Sequence, residues 1–205
     1  MNAEHTLICG DSGGGKTTLM REMHATFDGV SIWINHNGER VPDGRGFGHA
    51  TTVETFGQLQ EAAASRDRAA INYRTNNALE AVQQARSIAY HVVDGPVQIV
   101  TDEAHDYLPD GKVDKDNPLK QSLHEDRSAG VRVVLATQDP SDFDYTPIKQ
   151  CSYIVWCGSW SVFHDGFIRY FSIPRERLPT DPYRYVVLNK RMEVLYQGET
   201  KEQYG

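Results

Sequence analysis

Near the start of the chain, Gly10-Asp11-Ser12-Gly13-Gly14-Gly15-Lys16-Thr17 fits the pattern G-x-x-x-x-G-K-[ST] without a gap. Its flanks suit it. Residues 5–9 form an apolar run that reads as a short buried strand, and residues 16–27 read as the helix that follows. Strand, glycine loop and helix together make an anion cradle. Glycines let successive backbone N–H groups turn toward phosphate oxygens, and the helix start adds its positive dipole end. Gly10, Asp11, Ser12, Gly13, Gly14, Gly15, Lys16, Thr17 and Thr18 are therefore the candidate nucleotide-binding residues. Lys16 should reach the β- and γ-phosphates of ATP, and the Thr17 hydroxyl should ligate Mg²⁺.

The rest of the chain alternates. Strands are expected at 30–35, 69–73, 97–101, 131–137 and 153–157, and helices at 53–65, 77–91, 119–129 and 162–171. On helix 77–91, Leu79, Val82, Ala85, Ile88, Ala89 and Val92 should share the buried face. Residues 36–52 and 109–117 read as loops, and 183–188 with 193–196 as a terminal hairpin turning at Asn189–Met192. Strands separated by helices predict an α/β fold. Its sheet should be mostly parallel and twisted, flanked by helices, with the small β-hairpin at the C-terminal end, all in one domain over residues 1–205.

A second acidic signal follows the strand at 97–101. Asp102 and Glu103 end it, in a Walker B pattern. Asp102 would hold the Mg²⁺ shell, and Glu103 would orient or deprotonate the attacking water. An acid directly after the metal aspartate suits a hydrolase, because the water needs a base not tied to the metal. A third signal is Gln138, at the end of the strand 131–137. An amide there can hydrogen-bond both γ-phosphate and water, and so report which nucleotide is bound. Pro140 ends the segment.

These residues carry a resemblance. The phosphate loop, Asp102-Glu-Ala-His105 after an apolar strand, and Arg127 and Gly130 before Ala136-Thr137-Gln138-x-Pro140 are similar to the FtsK–HerA superfamily of ATP-driven DNA pumps. The likeness spans residues 5–157, and the small size resembles that superfamily's viral genome-packaging ATPases. It implies a RecA-like P-loop NTPase core with the strand of Gln138 between the phosphate-loop strand and the Asp102 strand. It also implies a homo-oligomeric ring, a hexamer, with ATP at each subunit boundary and double-stranded DNA as the substrate. A capsid or portal protein would be a further partner, with the host cytoplasm or the virion as location. Lys16, Glu103 and Gln138 would be catalytic, and Arg127 would reach a neighbour's γ-phosphate. Arg169, Arg175 and Arg177 are rivals for that last role, and Arg132 is a poorer candidate because it lies inside a strand.

A net charge of −7 argues against nucleic acid wrapped over the whole surface, but leaves room for a local basic patch or an assembled pore. Lys112, Lys115 and Lys120, interleaved with Asp110, Asp114 and Asp116, make one candidate channel loop, and the Arg40–Arg45 segment a second. Cys9, Cys151 and Cys157 match no metal template and read as buried thiols. No apolar run is long enough to span a bilayer. The alternative to a DNA translocase is an assembly or regulatory switch that binds nucleotide and moves no DNA. Glu103 and Gln138 together oppose it, since a slow switch needs no full hydrolytic set. A nucleotide or small-molecule kinase would need an acceptor pocket and a lid of arginines, which the Arg184 and Arg191 region could supply, but Ala136-Thr137-Gln138-x-Pro140 is not expected in such an enzyme.

Overall fold

The computed structural model describes residues 3–36, 50–65, 67–109, 111, 113–138, 140, 144–161 and 164–200. The Arg40–Arg45 segment, Asp110, Lys112 and the first residues of the expected helix 162–171 lie outside them.

Among the described residues, nine strands form a single sheet. In chain order they are β1 (Thr6–Cys9), β2 (Val30–Asn35), β3 (Thr51–Val53), β4 (Ala69–Arg74), β5 (Val97–Thr101), β6 (Val131–Thr137), β7 (Tyr153–Cys157), β8 (Arg184–Asn189) and β9 (Val194–Glu199). Their spatial order is β3-β4-β2-β5-β6-β1-β7-β8-β9. Pairing is parallel from β3 across to β7 and antiparallel at β7–β8 and β8–β9. The mostly parallel α/β sheet and the C-terminal hairpin are as the sequence predicts. β6 pairs with β1 on one side and β5 on the other, the placement that the resemblance implies.

The helices are α1 (Lys16–Thr26), α2 (Phe56–Ala64), α3 (Ala78–His91), α4 (Pro118–Glu125), α5 (Tyr145–Ile148) and α6 (Asp165–Tyr170). Their starts follow local chemistry. Thr55 and Gln58 make a reciprocal capping box on α2, so that helix begins at Phe56 rather than at Val53. Asn77 caps α3, and Asn117 caps α4 ahead of Pro118. The expected helix 119–129 is two pieces, α4 and a 3₁₀ turn over Asp126–Ala129.

Apolar side chains split between the two faces. The larger cluster buries Leu59, Val82, Ile88, Leu123 and Phe167 from the helices against Leu7, Ile32, Ile99, Val133 and Ile154 of the sheet. On the other face, α1 supplies the helical side chains of the smaller cluster, with Leu19 and Met20 against Ile8, Val100, Val134 and Val155. All three cysteines are buried and free. Within α3 the expected face shifts. Leu79 is exposed, while Arg86 is buried, its Nε and one terminal nitrogen donating to Asp126 at 2.6 and 2.9 Å. Tyr90 and Ser122 also donate to that carboxylate. A buried charge persists only when paired and fully hydrogen-bonded, and here it is.

Two buried histidines carry a testable consequence. His5 Nδ1 accepts the Val133 N–H at 3.0 Å. Ser31 Oγ receives an N–H from Gln98 at 2.9 Å and lies 2.6 Å from His24 Nδ1. Burial, joined at His5 by the Arg127 charge, lowers each pKa to about 4. An unfolded histidine titrates near 6.5, so between pH 6.5 and about 4 the unfolded chain binds more protons. Stability is complete above pH 6.5 and falls as the pH drops through that window. In urea titrations across that range, a His24→Gln protein should lose about 1.4 kcal/mol per pH unit from the slope of stability against pH. An unchanged slope would mean that His24 is already charged in the fold.

Candidate nucleotide-binding and hydrolytic site

The sheet topology assembles the site. From β1 the chain runs through α1 to β2, three places away, and β5 and β6 fill the gap. Residues just beyond the C-terminal ends of β1, β5 and β6 therefore converge where the strand order reverses, the usual ligand crevice of such sheets. They are the phosphate loop, Asp102-Glu103 and Gln138.

The loop rests on the end of β7. A Cβ on Gly10 would lie 1.9 Å from the Cys157 carbonyl oxygen, and one on Gly14 would lie 2.7 Å from the same atom, so side chains are sterically barred there. Gly15 has φ +94° and precedes α1 without any side-chain cap. The N–H groups of Lys16, Thr17 and Thr18 thus open the helix with no partner of their own inside it. Lys16 Nζ donates to the Asp11 carbonyl at 2.9 Å. Burial lowers its pKa, and the Asp102 and Glu103 carboxylates pull it back up.

Asp102 Oδ1 accepts the Glu103 N–H at 3.0 Å. Glu103 sits at φ 51°, left-handed backbone that a side-chain-bearing residue rarely adopts. Its Oε1 accepts from Gln138 Nε2 at 2.6 Å, and its Oε2 is buried with no hydrogen-bond partner. That orphaned oxygen is what a base awaiting a water would present. Behind it, His105 Nδ1 lies 3.5 Å from Oε2, and His105 Nε2 lies 3.4 Å from Asp106 Oδ1. Asp106 Oδ2 is 2.8 Å from His36 Nε2, whose Nδ1 is 2.9 Å from the Tyr107 hydroxyl. Burial raises the Tyr107 phenol well above its usual range.

Ser12, Gly13, Gly15, Lys16, Thr17, Thr18, Asp102, Glu103, Gln138 and Tyr183 line a cavity of about 200 Å³. Gly10, Asp11 and Gly14 lie behind it as the loop's support. Thr17 and Asp102, the candidate Mg²⁺ ligands, share this cavity, and a hydroxyl and a carboxylate are the hard oxygen donors that ion takes.

Arg127 is elsewhere. It precedes β6 while Gln138 follows it, which separates the two by roughly 20 Å of strand. Its Nε donates to the Ala3 carbonyl at 3.1 Å and a terminal nitrogen to Ser152 Oγ at 2.5 Å, fastening the starts of β1 and β7. Among its rivals, Arg175 is tied to Asp165 and stacked over Trp160, Arg169 Nε donates to the Asp165 carbonyl, and Arg177 is exposed.

Three residues enter that sequence reading did not place at the site. Tyr183 lines the cavity. Thr200 lies against Gly15, where a Cβ would meet its Oγ1 at 2.3 Å. His164 Nδ1 accepts the Ser161 N–H at 3.0 Å, so its Nε2 carries a proton and faces both the Gln138 carbonyl and Asp11 Oδ1 at 3.4 Å. No local pattern marks any of them, because each arrives from a strand or turn distant in sequence.

No family model matches the sequence, and no curated protein is similar to it. Solved structures are. The genome-packaging NTPase B204 of Sulfolobus turreted icosahedral virus 2, in complex with AMPPCP, superposes with TM-score 0.70 at 17% identity over 97% of this chain and 99% of its own. B204, the DNA-packaging ATPase of Sulfolobus turreted icosahedral virus, gives 0.72 at 18% over 97% and 98%. EssC ATPases 2 and 3 of Geobacillus thermodenitrificans give 0.55 at 11% over 96% of this chain and 40% of theirs. Over nearly its whole length, the chain has the fold of the viral packaging NTPase B204.

Proposed function

We propose that this chain is an ATPase of the FtsK–HerA type that moves double-stranded DNA, loading a viral genome into a preformed capsid. The observation that carries the hydrolytic part is the Glu103–Gln138 pair facing Lys16 and Thr17 in one cavity, with one carboxylate oxygen of Glu103 unpartnered. B204, whose fold it shares, was solved with AMPPCP and with ATP-gammaS, which supports nucleotide as the ligand.

In this reading the loop amides and Lys16 hold the β- and γ-phosphates, and Thr17 and Asp102 hold Mg²⁺. Held by Thr17 and Asp102, such an ion would supply positive charge to offset the charge of the phosphates. Gln138 fixes the Glu103 carboxylate, and Glu103 takes a proton from the water that attacks the γ-phosphorus, while the bond from that phosphorus to the β,γ-bridging oxygen breaks and ADP leaves. Arg127 is the proposed trans-acting arginine of a ring, a hexamer, in which each subunit completes its neighbour's site. To serve there it exchanges its hydrogen bonds with Ala3 and Ser152 for the neighbour's nucleotide. Lys115 is exposed, while Lys120 Nζ is held by the Val113 carbonyl at 2.8 Å. Together with Lys112 they form the proposed DNA-facing loop. A capsid or portal protein is the proposed docking partner, and the infected cell's cytoplasm or the virion the proposed location. Among the described residues no helix is long and apolar enough to cross a membrane.

Steady-state ATP hydrolysis, measured with and without linear duplex DNA over a range of protein concentrations, tests this reading. Stimulation by DNA that rises steeply with protein concentration is the expected result. Hydrolysis indifferent to both would favour a nucleotide switch that moves no DNA. If a Lys112→Ala/Lys115→Ala/Lys120→Ala protein keeps full stimulation, the loop does not touch DNA.

A further inference from the structure

Nine of the ten residues around the cavity are glycines or polar side chains suited to phosphate, metal and water. Tyr183 alone among them is aromatic, and it comes from outside the three motifs. Its placement is built rather than incidental. Tyr183 stands just before β8 with φ 63°, a left-handed conformation that a bulky residue keeps only when its surroundings enforce it. Here Thr200, just past β9, supplies the enforcement. Its N–H and its hydroxyl both donate to the Tyr183 carbonyl, at 2.6 and 3.0 Å. Thr200 is itself buried, with its Oγ1 against Gly15. The two ends of the hairpin are thereby pinned onto the phosphate loop, and Tyr183, about one third exposed, lines the cavity rather than packing in the core.

We propose that Tyr183 is the nucleobase platform of this site, stacking on the base of the nucleotide whose phosphates the loop holds. The inference rests on the nucleotide-binding reading above. A flat ring recognises a base by its π-face, so it favours purines through their larger stacking area and does not read base edges. ATP and GTP should accordingly bind alike, and CTP more weakly. The hairpin acquires a second task as well, because whatever shifts β8–β9 moves the base relative to the phosphates.

Calorimetric binding of ATP, CTP and inorganic triphosphate to the wild type, Tyr183→Gly and Tyr183→Trp proteins tests this. Glycine accepts the left-handed backbone, so Tyr183→Gly removes the ring without adding strain. It should weaken ATP binding by about 10-fold or more, as loss of one base–aromatic stack does. Triphosphate binding should not change, and the preference of ATP over CTP should vanish. Tyr183→Trp should retain ATP affinity. If Tyr183→Gly weakens ATP and triphosphate equally, the residue only braces the loop and the platform is refuted. Unchanged ATP affinity refutes it too. A wild-type protein that binds neither ATP nor triphosphate overturns the phosphate-loop reading itself, a different failure.

Discussion

A Glu103→Gln protein should bind ATP as tightly as the wild type and turn it over at least ~10²-fold more slowly, the loss expected when a general base is removed. The substitution is close to isosteric, and the side-chain oxygen that remains can still accept from Gln138 Nε2. What disappears is the buried, unpartnered Oε2, the atom with basicity to offer a water. Binding should survive because the phosphate loop and its lysine are untouched. Single-turnover hydrolysis together with equilibrium binding separates the two quantities. Normal turnover in this variant would remove Glu103 from the mechanism, whatever its position.

Lys16→Ala should fail in the opposite way, losing tight ATP binding altogether. Lys16 is buried, and its ammonium is held by one loop carbonyl, with Asp102 and Glu103 offsetting part of the cost of burial. Charge-assisted hydrogen bonds are worth roughly 1.5–3 kcal/mol each. Two such bonds to phosphate oxygens, lost together, correspond to an affinity drop of about 10²–10⁴-fold. The fold should not suffer, since removing a partly desolvated charge relieves its burial. Calorimetry with ATP and a thermal melt on the same sample check both halves. Retained affinity would mean that the loop amides alone hold the phosphates.

Much of this was legible in the sequence, and for identifiable reasons. β2, β5, β6 and β7 lie where β-branched, apolar runs end abruptly at polar or glycine residues, and their boundaries match the expected ones. The motif glycines, Lys16, Asp102, Glu103 and Gln138 meet because strand polarity puts every one of them beyond a C-terminal strand end. The same logic places Arg127 at the opposite, N-terminal end of the strands, since it precedes the strand that Gln138 follows. Within one chain it cannot share their cavity, so its proposed role exists only across a subunit boundary.

Other features carry no local signal. β3 is a three-residue edge strand, Thr51–Val53, whose two threonines are exposed, so it reads as part of the preceding loop. The Arg86–Asp126 pair spans forty positions, and a polar residue on a helix face gives no hint of a buried partner that far away. Tyr183 reaches the site only because β8 pairs antiparallel with β7, beside the phosphate-loop strand. Nothing in residues 180–183 suggests a cavity. The hairpin itself was readable, whereas its contact with Gly15 depends on where the sheet puts it.

Coupling of hydrolysis to movement along DNA is most directly tested by displacement of a third strand. A triplex-forming oligonucleotide is annealed near one end of a linear duplex, and its release is followed after protein and ATP are added. The oligonucleotide should come off only with hydrolysable ATP, later when it is placed farther from the entry end, and not at all with the Glu103→Gln protein. Brisk ATP hydrolysis on the same duplex with the third strand left in place would contradict translocation.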